Sequence, residues 1–133
     1  MLTREQLLGK TKRRYCTVTL PEGEEVRLQS LSEGEKSNYD SSMLNVKSGG
    51  IFRDRLRDAE RRLVVLTVVG DDDRPLLSLS DVEALAAVDG RIISLLFNAA
   101  TKHCGISKDD IEAAVKNSEG ISVEDLPSDS LSV

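Results

Sequence analysis

Residues 80–105 read SDVEALAAVDGRIISLLFNAATKHCG, and this stretch carries most of what the chain can bury. Placed at 100° per residue, Val82, Leu85, Ala86, Val88, Ile92, Ile93, Leu95, Leu96, Ala99 and Ala100 share one broad arc. Glu83, Arg91, Ser94, Asn98, Thr101 and Lys102 fall opposite. Asp89 interrupts the arc near its centre, and Gly90 follows it. A buried carboxylate is costly, and a mid-helix glycine adds roughly 1 kcal/mol relative to alanine. Aspartate is also a favoured N-cap. The spacing therefore predicts a short helix over 80–88, opened by the capping box Ser80-Asp81-Val82-Glu83, and then a corner. A second helix over 90–104 starts from Asp89 and stops at Gly105, a C-capping glycine.

Upstream, Gly70-Asp71-Asp72-Asp73-Arg74-Pro75 has turn chemistry. Calcium loops space their acidic ligands alternately, whereas these three aspartates are contiguous, so the run is read as a solvated loop. Before it stands IFRDRLRDAERRLVVLTVV, residues 51–69. Phe52, Leu56, Ala59, Leu63 and Leu66 recur at helical spacing, with Arg53, Asp54, Arg57, Asp58, Glu60, Arg61 and Arg62 on the flanks. Val64, Val65, Val68 and Val69 lean towards strand. The stripe nonetheless runs through unbroken and no partner strand is evident, so helix is expected to the end.

Ser32-Glu33-Gly34-Glu35 is a second capping box and opens a polar helix to about residue 45, with Tyr39, Met43 and Leu44 as its thin apolar stripe. Residues 46–50 read as a flexible loop. Further back, 15–20 and 25–31 alternate in polarity around Pro21-Glu22-Gly23-Glu24, which predicts an antiparallel hairpin with Cys16, Val18, Leu20, Val26, Leu28 and Ser30 on one side. Thr3 can cap a short helix over 2–10, and residues 10–14, KTKRR, read as a solvated basic linker. Towards the C-terminus, Ser107 caps a helix over 108–117 with Ile111, Ala114 and Val115 inward, and 120–133 is an acidic, serine-rich segment read as disordered.

These elements add up to an α+β fold, mainly α-helical, with an N-terminal β-hairpin packed on a small bundle of four or five helices. It forms one domain over 1–119, of which 1–14 are helix and basic linker, followed by the tail 120–133. The 133 residues suit one core, and with only Tyr15, Tyr39, Phe52 and Phe97 as aromatics that core is aliphatic. Net charge is −5, which argues against a nucleic-acid partner, and no apolar run is long enough for a membrane span or signal peptide. Cys16 and Cys104 lie far apart, as expected of reduced thiols.

Catalytic chemistry finds no foothold. The single histidine, His103, adjoins Cys104, and neighbours on a helix point 100° apart, which rules out a Cys–His dyad between them. No phosphate-cradling glycine loop occurs. No enzyme activity, metal or cofactor is expected. What remains is an interaction protein. The hairpin has two open edges and an apolar side too small to stand uncovered. The expected contacts are therefore Val18, Val26 and Leu28 of the hairpin with Phe52, Leu56, Leu63 and Leu66 of the stripe, and Arg53, Arg57 and Arg61 on the rim.

Taken in order, Leu31-Ser32-Glu33-Gly34-Glu35, Asp71 to Leu77, Ser80 to Leu85, Leu96-Phe97-Asn98-Ala99 with Gly105-Ile106-Ser107, and Val115-Lys116-Asn117-Ser118 resemble the motif series of the tail assembly chaperones of long-tailed bacteriophages. The resemblance covers roughly 15–119, and departs from the family where Arg74-Pro75 replaces a more usual Asp-Gly turn. It implies a host-cytoplasmic, non-catalytic assembly factor, absent from the mature virion. Such a protein binds the tape measure protein, keeps it soluble and helps recruit the major tail protein; the uncovered apolar surfaces described above are expected to be buried either by self-association or against the tape measure protein. Two other readings stay open. One is a small helical regulator binding nucleic acid through 10–14 and the arginine face of 53–62, the other a minor virion tail component.

Overall fold

The caps around α4 (Gly90–Cys104) are built as the sequence predicts. The Asp89 carboxylate accepts from the Arg91 N–H at 2.8 Å. At the other end Gly105 sits at φ 71°, a left-handed conformation that glycine adopts without strain, and the Ile106 N–H closes a Schellman turn onto the Thr101 carbonyl at 3.0 Å. The computed structural model describes residues 1–44 and 52–120. The expectations for the 46–50 loop and for the tail beyond Gly120 lie outside the described residues.

The hairpin pairs β1 (Tyr15–Thr19) with β2 (Glu25–Gln29), placing Cys16 opposite Leu28 and Val18 opposite Val26. Gly23, at φ 102°, makes its turn. Ser32 and Glu35 exchange both capping-box bonds, 2.8 and 3.2 Å, and open α2 (Glu33–Leu44). Thr3 and Gln6 do the same for α1 (Arg4–Leu8). The Ser107 hydroxyl accepts from the Asp110 N–H at the start of α5 (Lys108–Gly120).

The arginine-rich helix corrects the expectation. α3 spans Phe52–Thr67 and then gives way to a short strand, β3 (Val68–Val69), which pairs antiparallel with β2, Leu28 facing Val68 and Arg27 facing Val69. The sheet order is β1-β2-β3, so β2 has no open edge. Two groups stop the helix. Thr67 turns its hydroxyl back onto the carbonyls of Leu63 and Val64, and the Gln29 amide donates to the Leu66 carbonyl at 2.9 Å. The strand propensity of the valines then prevails because a partner is present.

The predicted 80–88 helix is instead two 3₁₀ turns, Leu79–Asp81 and Ala84–Ala87. Ser80 lies within the first, and the capping contact is the Asp81 carboxylate accepting from the Ser78 N–H at 2.9 Å. The reason is packing. Of the apolar residues here only Val82 is buried and only Leu85 half-buried, while Ala84, Ala86, Ala87 and Val88 are exposed. Two anchors three residues apart match the 3₁₀ repeat, and nothing rewards a full α-helical arc.

The core lies where α3 meets α4, α5 and the inner face of the sheet, around Leu28, Leu63, Val64, Phe97, Ala100, Ile111 and Val115. Tyr39 anchors α2 in it, 1% exposed, its hydroxyl donating to the Ala59 carbonyl at 2.7 Å. Burial pushes that phenol well above the ordinary tyrosine range. On α4 the inward face is rotated from the expected one. Phe97 and Thr101 are buried with Leu96, Ala100 and Cys104, and Thr101 satisfies its hydroxyl on the Asn98 carbonyl.

Candidate partner-binding surface

The residues expected to contact a partner divide into core and surface. Leu28 and Leu63 are 0% exposed and belong to the interior. Phe52, Leu56, Leu66, Val18 and Val26 are half-buried and pack against that interior. The helical stripe is therefore the face by which α3 joins the body. Outside it stand Arg53 and Arg57, both exposed, with Arg61 half-buried. Arg57 pairs with Glu60 at 3.0 Å and Arg62 with Asp58 at 2.7 Å, ion pairs at helical i,i+3 and i,i+4 spacing.

Two surfaces emerge. The first is a groove in which Arg57, Glu60 and Arg61 of α3 face Leu85, Ala86 and Val88 of the turns and Ile93 of α4. Its lining combines these apolar side chains with two arginines and a glutamate, Glu60 being the ion-pair partner of Arg57. The periodicity of 80–88 hid it, because that segment was read as helix. The second is the outer edge of β1, which pairs only with β2 among the described strands. Thr17 and Thr19 of β1 are exposed.

The basic linker proves partly structural. Arg13 donates to the Ser30 carbonyl at 2.7 Å and forks onto the Glu35 carboxylate at 2.7 and 3.1 Å. The hydrogen bond from Arg13 is the main reason the Glu35 carboxyl lies below its ordinary range. Arg14 donates to the His103 carbonyl at 2.8 Å, and the His103 ring contacts the Arg14 carbonyl at 3.2 Å. These ties span 17 to 89 residues, and only their basic character was visible in sequence. Two of the four cations offered to nucleic acid by residues 10–14 are thus engaged by the chain's own groups. His103 is half-buried. Burial raises the thiols of Cys16 and Cys104, which makes them poor nucleophiles at neutral pH. Among the described residues no helix is long and apolar enough to cross a membrane, and no group of three or more His, Cys, Asp or Glu is placed to hold a metal.

The fold, a three-stranded antiparallel sheet packed with an arginine-rich helix and further helices, is similar to that of a solved phage tail assembly chaperone, the family the sequence resembles. One solved structure it is similar to is that of the bacteriophage HK97 tail assembly chaperone, with a TM-score of 0.54 and 25% identity over 68% of this chain and 84% of that one. No protein-family model matches the sequence, and no curated protein matches it.

Proposed function

We propose that the protein is a non-catalytic tail assembly chaperone, acting in the host cytoplasm and absent from the finished virion. It binds the tape measure protein, keeps it soluble and helps recruit the major tail protein around it. The observation that supports this reading is the likeness to the HK97 chaperone across two thirds of the chain. The site fits the task. A long helical client offers amphipathic segments, and the groove between α3 and residues 85–93 presents Leu85, Val88 and Ile93 to such a segment, with Arg61 and the Glu60-paired Arg57 to meet an acidic flank. Charges at that rim set register and encounter rate more than affinity.

Co-expression with the tape measure protein tests the proposal. The tape measure protein should be soluble with this chain and insoluble without it. The double substitution Arg57→Glu and Arg61→Glu should reduce the soluble yield while this protein still folds. A tape measure protein that stays insoluble beside a folded partner overturns the reading.

A further inference from the structure

Three arginines stand close together on the last turns of α3, and the fold treats one of them differently. Arg57 is held by Glu60 at 3.0 Å and Arg62 by Asp58 at 2.7 Å. Arg61 lies half-buried between them in sequence with no carboxylate of its own among the described residues, and its Nε is shut from water without an acceptor. An exposed guanidinium is satisfied by water, but a buried donor left unpaired costs free energy. Of the three nitrogens only Nε is both buried and unbonded, which leaves the two Nη groups as the ends that a ligand can reach. Arg61 lines the groove of about 290 Å³ in which Leu85, Val88 and Ile93 also stand. The one acid of that lining, Glu60, is already engaged by Arg57.

We infer that Arg61 is the specificity-determining residue of this groove, taking the carboxylate of an aspartate or glutamate that a client helix presents between aliphatic side chains. The inference rests on the chaperone reading and names what that site selects. A carboxylate supplies the planar, paired acceptors that a guanidinium fork matches, and Leu85, Val88 and Ile93 receive the aliphatic residues one helical turn to either side. A nucleic-acid strand fits worse, because the lining has no aromatic side chain on which a base could stack and holds Glu60 against a phosphate. Arg61 also differs from a rim charge. Its Nε is already out of water, so its pairing bears on how long the client stays as well as on how fast it arrives.

The probes are overlapping synthetic peptides that tile the tape measure protein, titrated against the full chain. Arg61→Met should weaken the peptides that bind by about tenfold or more, and Arg61→Lys, which keeps the charge and loses the fork, should recover only part of that. Arg74→Met removes the same charge from an exposed loop outside the groove and should change binding by less than about twofold. Thermal unfolding of Arg61→Met should be no easier than that of wild type, since the substitution removes an unsatisfied donor. Replacing the acidic residues of a binding peptide by Asn or Gln should cost as much as Arg61→Met, and the two changes together should cost little more than either alone. Full additivity overturns the inference, as does a peptide indifferent to its own carboxylates. Should Arg61→Met lower retention on heparin and leave peptide binding intact, the groove takes phosphate and the inference falls. If no peptide binds although the co-expressed tape measure protein is soluble, the inference fails and the chaperone reading stands; an insoluble tape measure protein fails both.

Discussion

α3 and α4 are helices of 16 and 15 residues packed on each other, and they are stopped in opposite ways. α4 ends on its own sequence: Gly105 takes the left-handed conformation and Ile106 reaches back to Thr101. α3, beyond the back-bonds of its own Thr67 hydroxyl, ends on groups from elsewhere. The Gln29 amide, 37 residues away in sequence, takes the Leu66 carbonyl, and β2 draws Val68 and Val69 into the sheet. A locally written stop survives any change in the surroundings that leaves the chain folded. A tertiary stop exists only once the hairpin is docked, so α3's last turn and the sheet should form and open together.

The largest test removes the shared support. Leu63 is 0% exposed at the start of α3's last turn, and Leu63→Ala should cost about 2–5 kcal/mol in urea unfolding, as large-to-small core changes do. A cost below about 1 kcal/mol means the α3 end is held by its hydrogen bonds rather than by burial. Next comes the tertiary stop itself. Gln29→Ala leaves the Leu66 carbonyl without its amide and should cost about 1–3 kcal/mol. Amide exchange should accelerate at 66–69 and along β2 together. Acceleration confined to 66–69 sinks the idea that helix end and sheet are one unit.

The local stops are the smaller effect. Asp89→Ala should cost about 1 kcal/mol, with Asp89→Ser or Asn recovering most of it, and Gly105→Ala about 1–2 kcal/mol through left-handed strain. Exchange should change only at the respective end of α4. A response that spreads to β3 erases the contrast between the helices.

That contrast also explains what could be read in advance. The caps at Thr3, Ser32, Asp89, Gly105 and Ser107 are decided within a few residues, and the structure places each as the sequence predicts. So is the hairpin, whose alternation gives its register. Misread were the features settled at long range. The valines of β3 lean locally towards strand, but nothing local decides between strand and continued helix, because the partner lies in another segment. The turns at 79–87 lost their helix because few neighbours cover them, and solvent cover is a property of the fold. The partner surface suffered the same way. An apolar stripe marks a buried face whether the cover comes from the chain or from a client, and here Leu28 and Leu63 are covered by the chain. Arg57 and Arg61 line a groove that the sequence does not mark, because its other wall is set by the fold.

The smallest effect belongs to a tertiary contact that behaves like a surface one, the Arg13–Glu35 pair. Its side chains are 33% and 37% exposed, so water screens it, and its net worth should be under about 1 kcal/mol. Hydrogen bonding from Arg13, outweighing burial, depresses the Glu35 carboxyl below its ordinary value of 4.5. A depressed carboxyl binds its proton more weakly in the folded chain, so its stabilisation is complete above pH 4.5 and fades as pH falls through the folded value. Asp40 acts in the opposite sense. Burial, with Asp110 and Glu33 nearby, raises its carboxyl, so acid relieves a cost there. Wild-type unfolding alone therefore mixes the two. Comparing wild type with Arg13→Gln separates them, because Asp40 is common to both. Part of the stability gap should persist at every pH, reflecting the lost bond to the Ser30 carbonyl. The remainder should close as pH falls below 4.5 through the lowered folded value in urea titrations. A gap that is constant across that range would mean that Arg13 holds the linker through Ser30 alone, and that Glu35 serves only as the cap of α2.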